Sequence, residues 1–383
     1  MSVTPVRTEP GTAARTRDAG APQAPIGRVA VLKTTPETVL DDTKRAMELA
    51  GAREVLSPDL KTILKINISW QHYYPACSTT PWQLDGVIRA LRDWGHSAEN
   101  LIPAQNRTVV VDPKPGADAN KHTAVLHKYG IHPVWLYEPE VEWFYYEPKG
   151  RMLALTDIFP EGIYIPRLFV GTNAIHLPTL KTHVFTTMTG AMKNAFGGLL
   201  DDRRHWCHAQ IHESLVDLLR IQKEIHPGLF AVMDGTICGN GPGPRAMEPV
   251  QKDYLLASAD QVAIDATAAR MMGFDPMKLD FIRLAHENGL GVGDPGEIEV
   301  LGEDISGVNF HFHVGDTFAS RGQKAIYHGW LKFAERLLLR SPIVPWSYLA
   351  SNIYHNLYWY RVKGRKRVRA ALKTPWGKLF QTY

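Results

Sequence analysis

The chain is poor in cysteine. Its 383 residues include three, Cys77, Cys207 and Cys238, and these are far apart along the sequence. Three widely separated cysteines do not suit the dense, even-numbered disulfide framework of small secreted domains. Their scarcity is typical of a protein from a reducing compartment, and we therefore expect a cytoplasmic location.

Long apolar runs are also absent. No run approaches the ~20 residues that a membrane-spanning helix needs. Residues 1–25, rich in Ala, Pro, Thr and Arg, lack the apolar core of a secretory signal, and we predict a disordered leader there. With 44% hydrophobic and 21% charged residues, the remainder has the composition of a globular protein with a substantial core.

Acidic residues are missing from the C-terminal end. The formal net charge is +4, but residues 336–383 contain ten Lys and Arg and no Asp or Glu, which leaves 33 basic against 39 acidic residues in the first 335. Tryptophans and tyrosines are interleaved with these cations. Such a stretch suits an anionic membrane surface, with peripheral attachment. A protein partner or a homodimer contact is the alternative, and nucleic acid is the least favoured.

Hydrophobic periodicity predicts strands and helices in alternation. The predicted strands include 28–34, 61–69, 229–233 and 298–302, and the predicted helices include 38–50, 82–94, 215–225 and 260–272. This order favours an α/β fold, with a mostly parallel sheet and flanking helices. We predict an α/β body over residues 26–316, with a division into two lobes near 150–175 as an option. A basic, aromatic helical extension is predicted over 317–383.

The stretch Leu177 to Asp202 is the chemical centre of the sequence. It contains Lys181, His183, Lys193 and Asn194 among threonines and glycines. We expect Lys181 and His183 where a strand ends, followed by a helix start whose glycine lets a ligand approach free N–H groups. Lysine supplies positive charge, and histidine an acid, a base or a metal ligand. The alternative is a turn at the sheet edge with two solvated lysines.

Further polar residues follow predicted strands or precede predicted helices. Lys65 and Asn67 share one face of a strand, Asp234 ends an apolar strand, and a glycine-rich loop is predicted at 236–245. Thr79 and Thr80 suit either a helix cap or an anion site. Asp265 either faces a lysine of the site or makes a polar contact between helices. We predict catalytic roles for Lys181, His183, Lys193 and Asp234, and ligand binding by Lys65, Asn67, Thr79, Thr80, Asn194, Gly239, Gly241 and Asp265.

A second polar segment follows the central stretch. His208 and His212 are four residues apart, so on a helix they would share a face. Together with His205 and Cys207 they would offer nitrogen and sulfur ligands to a divalent metal. This spacing is a weak signal by itself, and surface or capping histidines are the alternative.

Several motifs resemble, in order, those of the family catalogued as domain of unknown function 362. They are Lys65 to Asn67, Ser78 to Pro81, KTH at 181–183 with TGAMKNAFGGLL from Thr189, Asp234-Gly235, the glycines from Gly239, and Ala263 to Ala266 with Met272-Gly273. Some members resemble iron–sulfur proteins because they carry a ferredoxin-like cysteine segment. With three cysteines this chain is similar to members without that cluster. The resemblance also points to His208 as a functional histidine.

Three lysines in one pocket favour a ligand that bears a carboxylate or a phosphate. The sequence predicts an enzyme in which His183 or His208 moves a proton, a lysine stabilises negative charge and Asp234 orients the base. A metal or redox cofactor is an option. The alternative is a non-catalytic binding or assembly protein that docks to a membrane or a partner through residues 336–383.

Overall fold

The structure is a computed structural model that describes residues 27–108, 111–316 and 353–383. The predicted leader, residues 1–25, and the first part of the predicted extension, residues 317–352, lie outside the described residues.

A mixed, mostly parallel sheet forms the centre of the molecule. Its main strands are β1 (Arg28–Lys33), β2 (Thr62–Ile66), β3 (Leu101–Gln105), β4 (Val134–Trp135), β7 (Asn173–Leu177), β10 (Leu229–Asn240), β11 (Glu248–Ser258) and β12 (Glu299–Gly302). Their order is β12-β1-β11-β10-β7-β2-β3-β4. Of the strands described on this path, only β11 runs antiparallel to its neighbours. The predicted α/β fold is confirmed.

Shorter strands complete the sheet and add a hairpin. β8 (Thr179–His183) continues the chain from β7 and pairs with β10 and with β9 (Thr187–Met188). β5 (Trp143–Tyr146) and β6 (Ile163–Pro166) form a separate antiparallel pair. The hairpin packs into the same core as the sheet, through Trp143, Ile163 and Ile165. The division into two lobes stays a prediction.

Helices cover both faces of the sheet because successive strand residues point to opposite faces. In β1, Val29 and Val31 join one core, and Ala30 and Leu32 join the other. The second of these cores packs against α1 (Val39–Leu49), α2 (Ala52–Val55), α3 (Pro81–Asp93), α4 (Pro113–Ala119) and α5 (His122–Lys128). The first packs against α6 (Leu155–Ile158), α7 (Gly190–Asn194), α8 (Phe196–Leu199), α9 (Ile211–Ile225), α10 (Gln261–Met272) and α11 (Asp280–Glu287).

The C-terminal residues pack on the body through a third, aromatic core. A π-helical segment, Ile353–Gly364, leads into α12 (Arg365–Ala371) and α13 (Pro375–Thr382). Trp359, Trp376 and Phe380 are buried there with Trp70 and Trp82 of the body. The predicted helical character of the extension is confirmed for residues 353–383. No helix among the described residues has the length and apolarity to cross a membrane.

Two local predictions are wrong. Residues 236–240 of the predicted glycine-rich loop belong to β10, because they pair with β11. His208 and His212 do not share a helix: residues 202–210 form a 3₁₀ segment, and α9 begins at Ile211. The helix type therefore changes between the two histidines, so the α-helical spacing on which the prediction depended does not apply.

Candidate functional site

A cavity of about 290 Å³ opens where parallel strands end. Asn67 to Ser69 follow β2, Gln105 ends β3, His183 ends β8 and Pro242 to Arg245 follow β10, and all of these line the cavity. The carboxyl ends of parallel strands are where open α/β sheets bind ligands. Of the predicted site residues, six line this cavity: Lys65, Asn67, His183, Lys193, Asn194 and His208.

The cavity carries charge of one sign. Four cationic side chains line it, those of Lys65, Lys193, Arg204 and Arg245. No aspartate or glutamate of the described residues is part of the lining. Apolar and aromatic side chains, among them Ile68, Phe185 and Phe196, supply the rest of the wall. The site therefore suits a small organic anion.

Arg245 has a buried nitrogen that finds no hydrogen-bond partner in the part of the chain that the structure describes. Its Nη1 is buried, and it makes no hydrogen bond to any described residue. Burial also lowers the pKa of its guanidinium, yet arginine keeps its proton in proteins. A buried, charged nitrogen without an acceptor is costly, so this atom favours an anionic ligand at this wall.

Lys65 is buried at the floor of the cavity. Its Nζ donates to the carbonyl of Ile66 (2.5 Å) and to the side-chain oxygen of Gln105. Burial, with a smaller effect of Arg204, holds its pKa well below the usual value. Gly198 leaves room for this side chain, since a Cβ there would lie 3.0 Å from Lys65 Cε.

Lys193 offers a charge that the protein itself does not neutralise. It is half-buried on α7, and within the described ranges its ammonium makes no hydrogen bond or ion pair, only a contact with the Phe196 ring at 5.1 Å. Burial, and then Lys181 and Arg204, lower its pKa to about 8. At neutral pH the group is therefore mostly charged and available to an anion.

His183 presents a proton to the cavity. Its Nδ1 accepts the backbone N–H of Phe185 (3.2 Å), so the neutral ring carries its proton on Nε2. Burial lowers its pKa well below the usual value, and neighbouring cations, first Lys193, add to this. The ring is therefore neutral at pH 7 and has an N–H to donate.

His208 has the opposite tautomer. Its Nδ1 donates to the carbonyl of His205 (2.9 Å), which leaves Nε2 as the unprotonated nitrogen. Burial, and then Lys193, lower its pKa to about 3. The cavity thus contains one neutral imidazole that donates a hydrogen bond and one that accepts a hydrogen bond, and the accepting ring is the one that could take a proton from a ligand.

Lys181 lies behind the cavity wall rather than in it. This fully buried side chain donates to the carbonyl of Cys77 (2.5 Å) and to Ser69 Oγ (3.2 Å). Ser69 in turn donates to Asn67 Oδ1 (2.8 Å). Burial lowers the pKa of Lys181 to about 8. The contacts give Lys181 a positioning role, because it orients two cavity residues.

Asp234 and the two threonines form a buried cluster away from the cavity lining. Asp234 accepts hydrogen bonds from Thr80 Oγ1, from Trp82 Nε1 (3.0 Å) and from the N–H of Thr236 (2.7 Å). Thr80 also caps α3. Thr79 donates to the carbonyl of Leu177 (2.6 Å). These contacts hold α3 against the sheet, and none of the hydrogen bonds to Asp234 comes from a histidine.

The start of α7 is occupied by a carboxylate of the protein itself. Asp265 accepts the N–H groups of Ala191 (2.6 Å) and Met192 (3.0 Å). Burial raises the pKa of this carboxyl to about 8, against the effect of the two donors. Gly190 lines the cavity, and its missing Cβ gives room to Asp265, since a Cβ there would lie 2.3 Å from its Oδ1.

The two predicted glycines of the loop also have structural contacts. A Cβ on Gly239 would lie 2.9 Å from the Cβ of Lys181, so the glycine lets β8 approach β10. The carbonyl of Gly241 accepts from Thr182 Oγ1 (2.6 Å). Neither glycine lines the cavity. The residues that follow them, Pro242 to Arg245, line it instead.

The four predicted metal ligands do not converge. Cys207 is buried in the core, which raises the pKa of its thiol to about 12. His205 lies 6.1 Å from the ring of Trp206, and His212 6.0 Å from that of Phe281, whereas His208 faces the cavity. Among the residues that the structure describes, no three His, Cys, Asp or Glu side chains are grouped to hold a metal ion.

Several site residues were not predicted from the sequence. Arg204, Arg245 and Gln105 line the cavity, and so does His355 from the C-terminal segment. Arg245 directly follows a Gly-Pro-Gly-Pro turn at the end of a strand, and this position was the available signal. No such motif surrounds His355, which lies 110 residues beyond Arg245 in the C-terminal segment.

Comparison with known proteins gives a family and one relative. The model of the family described as domain of unknown function (DUF362) matches residues 62–270, more than half of the chain. A thylakoid-associated protein of Synechocystis sp. is 30% identical over 120 residues, which are 30% of this chain and 37% of that protein. The similarity thus spans little more than a third of the relative. No solved structure matches the chain.

Proposed function

The chain belongs to the DUF362 family, and we propose from the chemistry of its cavity that it binds a small organic anion and transfers a proton on it. The observation that carries this proposal is that the charged side chains of the cavity are all basic: four cations and no described carboxylate line it. The buried, unpartnered Nη1 of Arg245 supports an anionic group at that wall. The ligand class is a phosphate or carboxylate compound small enough for about 290 Å³.

The two histidines support proton transfer rather than binding alone. The Nδ1 hydrogen bonds set the two tautomers. His208 takes a proton from the ligand through Nε2 and returns it, and His183 donates a hydrogen bond through Nε2–H to the negative charge left on the ligand. Lys193 and Arg204 stabilise negative charge that develops on the ligand. Lys181 acts indirectly, by holding Ser69 and Asn67 in place.

Sulfate titration by calorimetry tests the anion site. Arg245→Gln should weaken sulfate binding by at least about tenfold, because a charge-assisted contact is lost. Arg203→Gln is the matched control: Arg203 is paired with Asp201 and Glu161 and does not line the cavity. Equal affinities in wild type and both variants, or no binding by the wild type, would refute the proposal.

Proton transfer has its own test. A mixture of small phosphate and carboxylate compounds is incubated with the protein in D₂O, and deuterium incorporation is followed by NMR. The wild type should label at least one compound, and His183→Gln should not, although it should still bind sulfate. If nothing is labelled while sulfate binds, the non-catalytic binding function is correct and the enzymatic one is wrong.

We propose a second function for the C-terminal surface, peripheral docking to an anionic membrane. Five exposed cations form one basic face: Arg361, Arg365, Lys366, Arg369 and Lys373. In the described part of the chain none of the five forms an ion pair. Such residues contribute about 1 kcal/mol each near an anionic bilayer.

An apolar face adjoins these cations, and this favours a membrane over other partners. Ile353, Tyr358 and Val362 are 48%, 57% and 58% exposed, and they are three of the four exposed large hydrophobic side chains of the described residues. Their spacing of five and four residues places them on one side of the π-helical segment. Cations beside exposed apolar and aromatic side chains suit the headgroup boundary. The relative's description as thylakoid-associated agrees with such a location.

Vesicle sedimentation tests this surface. Wild type should sediment with phosphatidylglycerol-containing vesicles and not with phosphatidylcholine alone, whereas Arg365→Glu with Arg369→Glu should stay in the supernatant. A second double variant, Arg53→Glu with Lys278→Glu, makes the same charge change elsewhere on the surface and should sediment normally. Sedimentation of all three proteins alike would contradict membrane docking. A change in solution mass confined to the first variant would indicate an oligomer contact instead.

A further inference from the structure

The C-terminal segment reaches the ligand cavity. His355 lies in the π-helical segment Ile353–Gly364 and is 8% exposed. It lines the cavity together with residues of β2, of β8 and of the loop that follows β10. It is therefore a wall residue that comes from outside the α/β body. Its side chain is the third histidine of the lining, beside His183 and His208.

The segment is seated on the same loop that supplies other cavity residues. Trp70 directly follows Ser69 of the lining, and its Nε1 donates to Asn356 Oδ1 of the segment (2.6 Å). Tyr360 stacks on His72 with ring centroids 4.5 Å apart, and its hydroxyl donates to the carbonyl of Tyr73 (3.1 Å). Residues 67–73 thus contact the ligand cavity on one side and the C-terminal segment on the other.

We infer that His355 contacts the bound anion and that residues 353–364 form a wall whose seating on the body is coupled to ligand binding. This inference rests on the proposed anion site. Because His355 belongs to both the wall and the segment, a ligand that contacts it stabilises the seated segment. By thermodynamic reciprocity, a well-seated segment then raises the affinity for the ligand.

Hydrogen exchange of the full chain tests the coupling directly. Saturating sulfate, compared with chloride at equal ionic strength, should slow exchange of the amides of residues 353–364. The Arg245→Gln variant, with its weakened anion site, should lose this effect. Unchanged exchange in the segment of a wild type that binds sulfate would overturn the coupling and leave the anion site in place.

Two tyrosines of the segment provide a matched pair of variants. Tyr360→Ala removes the seat on His72 and Tyr73 without changing the lining, and it should weaken sulfate binding by about fivefold or more. Tyr358→Ala removes an exposed ring from the same segment and should leave the affinity unchanged. Equal affinities in both variants would refute the coupling, whereas a wild type that binds no sulfate would refute the anion site as well.

Discussion

Lys193 makes the affinity of the cavity depend on pH. Its pKa is about 8 in the free protein, so the ammonium is present at pH 7 and mostly lost at pH 9. If the anion binds the charged form, affinity should fall about tenfold between these values. Sulfate is the suitable probe, because its own charge is constant in this range. Calorimetry should show the fall in wild type and a flat profile in Lys193→Met; the same fall in that variant would assign it to Lys181.

His122 should make the protein sensitive to mild acid. It is fully buried, its Nε2 donates to the carbonyl of Thr79 (2.7 Å), and its Nδ1 has no partner among the described residues. Burial lowers its pKa to about 4. In the unfolded chain His122 is protonated below about pH 6.5, whereas in the folded chain it stays neutral down to about pH 4. The free energy of unfolding therefore falls as the pH is lowered through this range. From pH 7 to 5 the loss is roughly 2 kcal/mol.

Urea denaturation at the two pH values measures this effect. His122→Gln keeps a donor near Thr79 without a titrating group, so its free energy of unfolding should fall less between pH 7 and 5 than that of the wild type. Identical falls in the two proteins would show that other groups cause the acid sensitivity.

At the scale of elements, Gly190 determines how α7 meets α10. Its φ is +76°, and a Cβ would lie 2.3 Å from the Asp265 carboxylate. Gly190→Ala should therefore lower the free energy of unfolding by at least about 3 kcal/mol. Gly130 has a similar φ of +66° and nothing within 4 Å of a Cβ, so Gly130→Ala should cost only about 1 kcal/mol of backbone strain. Urea unfolding compares the two, and similar losses would remove the carboxylate contact as the cause.

Elements with local signals were predictable, and elements that depend on pairing were not. The helix over residues 260–272 was predicted, and in the structure α10 is capped by Asp260 and ends at Gly273 in a left-handed conformation. The strand β11 was missed, because its first half is polar or exposed and contains Pro249. Its strand character comes from pairing with β10 and β1, which no local pattern in the sequence displays.

At the scale of the whole molecule, the candidate site divides in the same way. Lys65, His183, Lys193 and His208 were predicted because each follows a strand or lies in a polar motif. Arg245 and His355 come to the cavity from distant parts of the chain. Lys181 and Asp234 were predicted to be catalytic from their residue type and their positions at strand ends, and only the three-dimensional contacts place them behind the wall.

The position of β1 affects how the protein can be divided. The family match begins at residue 62, yet β1 lies inside the sheet, between β11 and β12. A fragment of residues 62–270 would uncover the edge of β11 along Tyr254 to Ala257, where β1 now pairs. Such apolar, unpaired edges associate with one another. The fragment should aggregate in light-scattering measurements, and the full chain should scatter less. The family match therefore covers less of the chain than the residues that pack together into one structure.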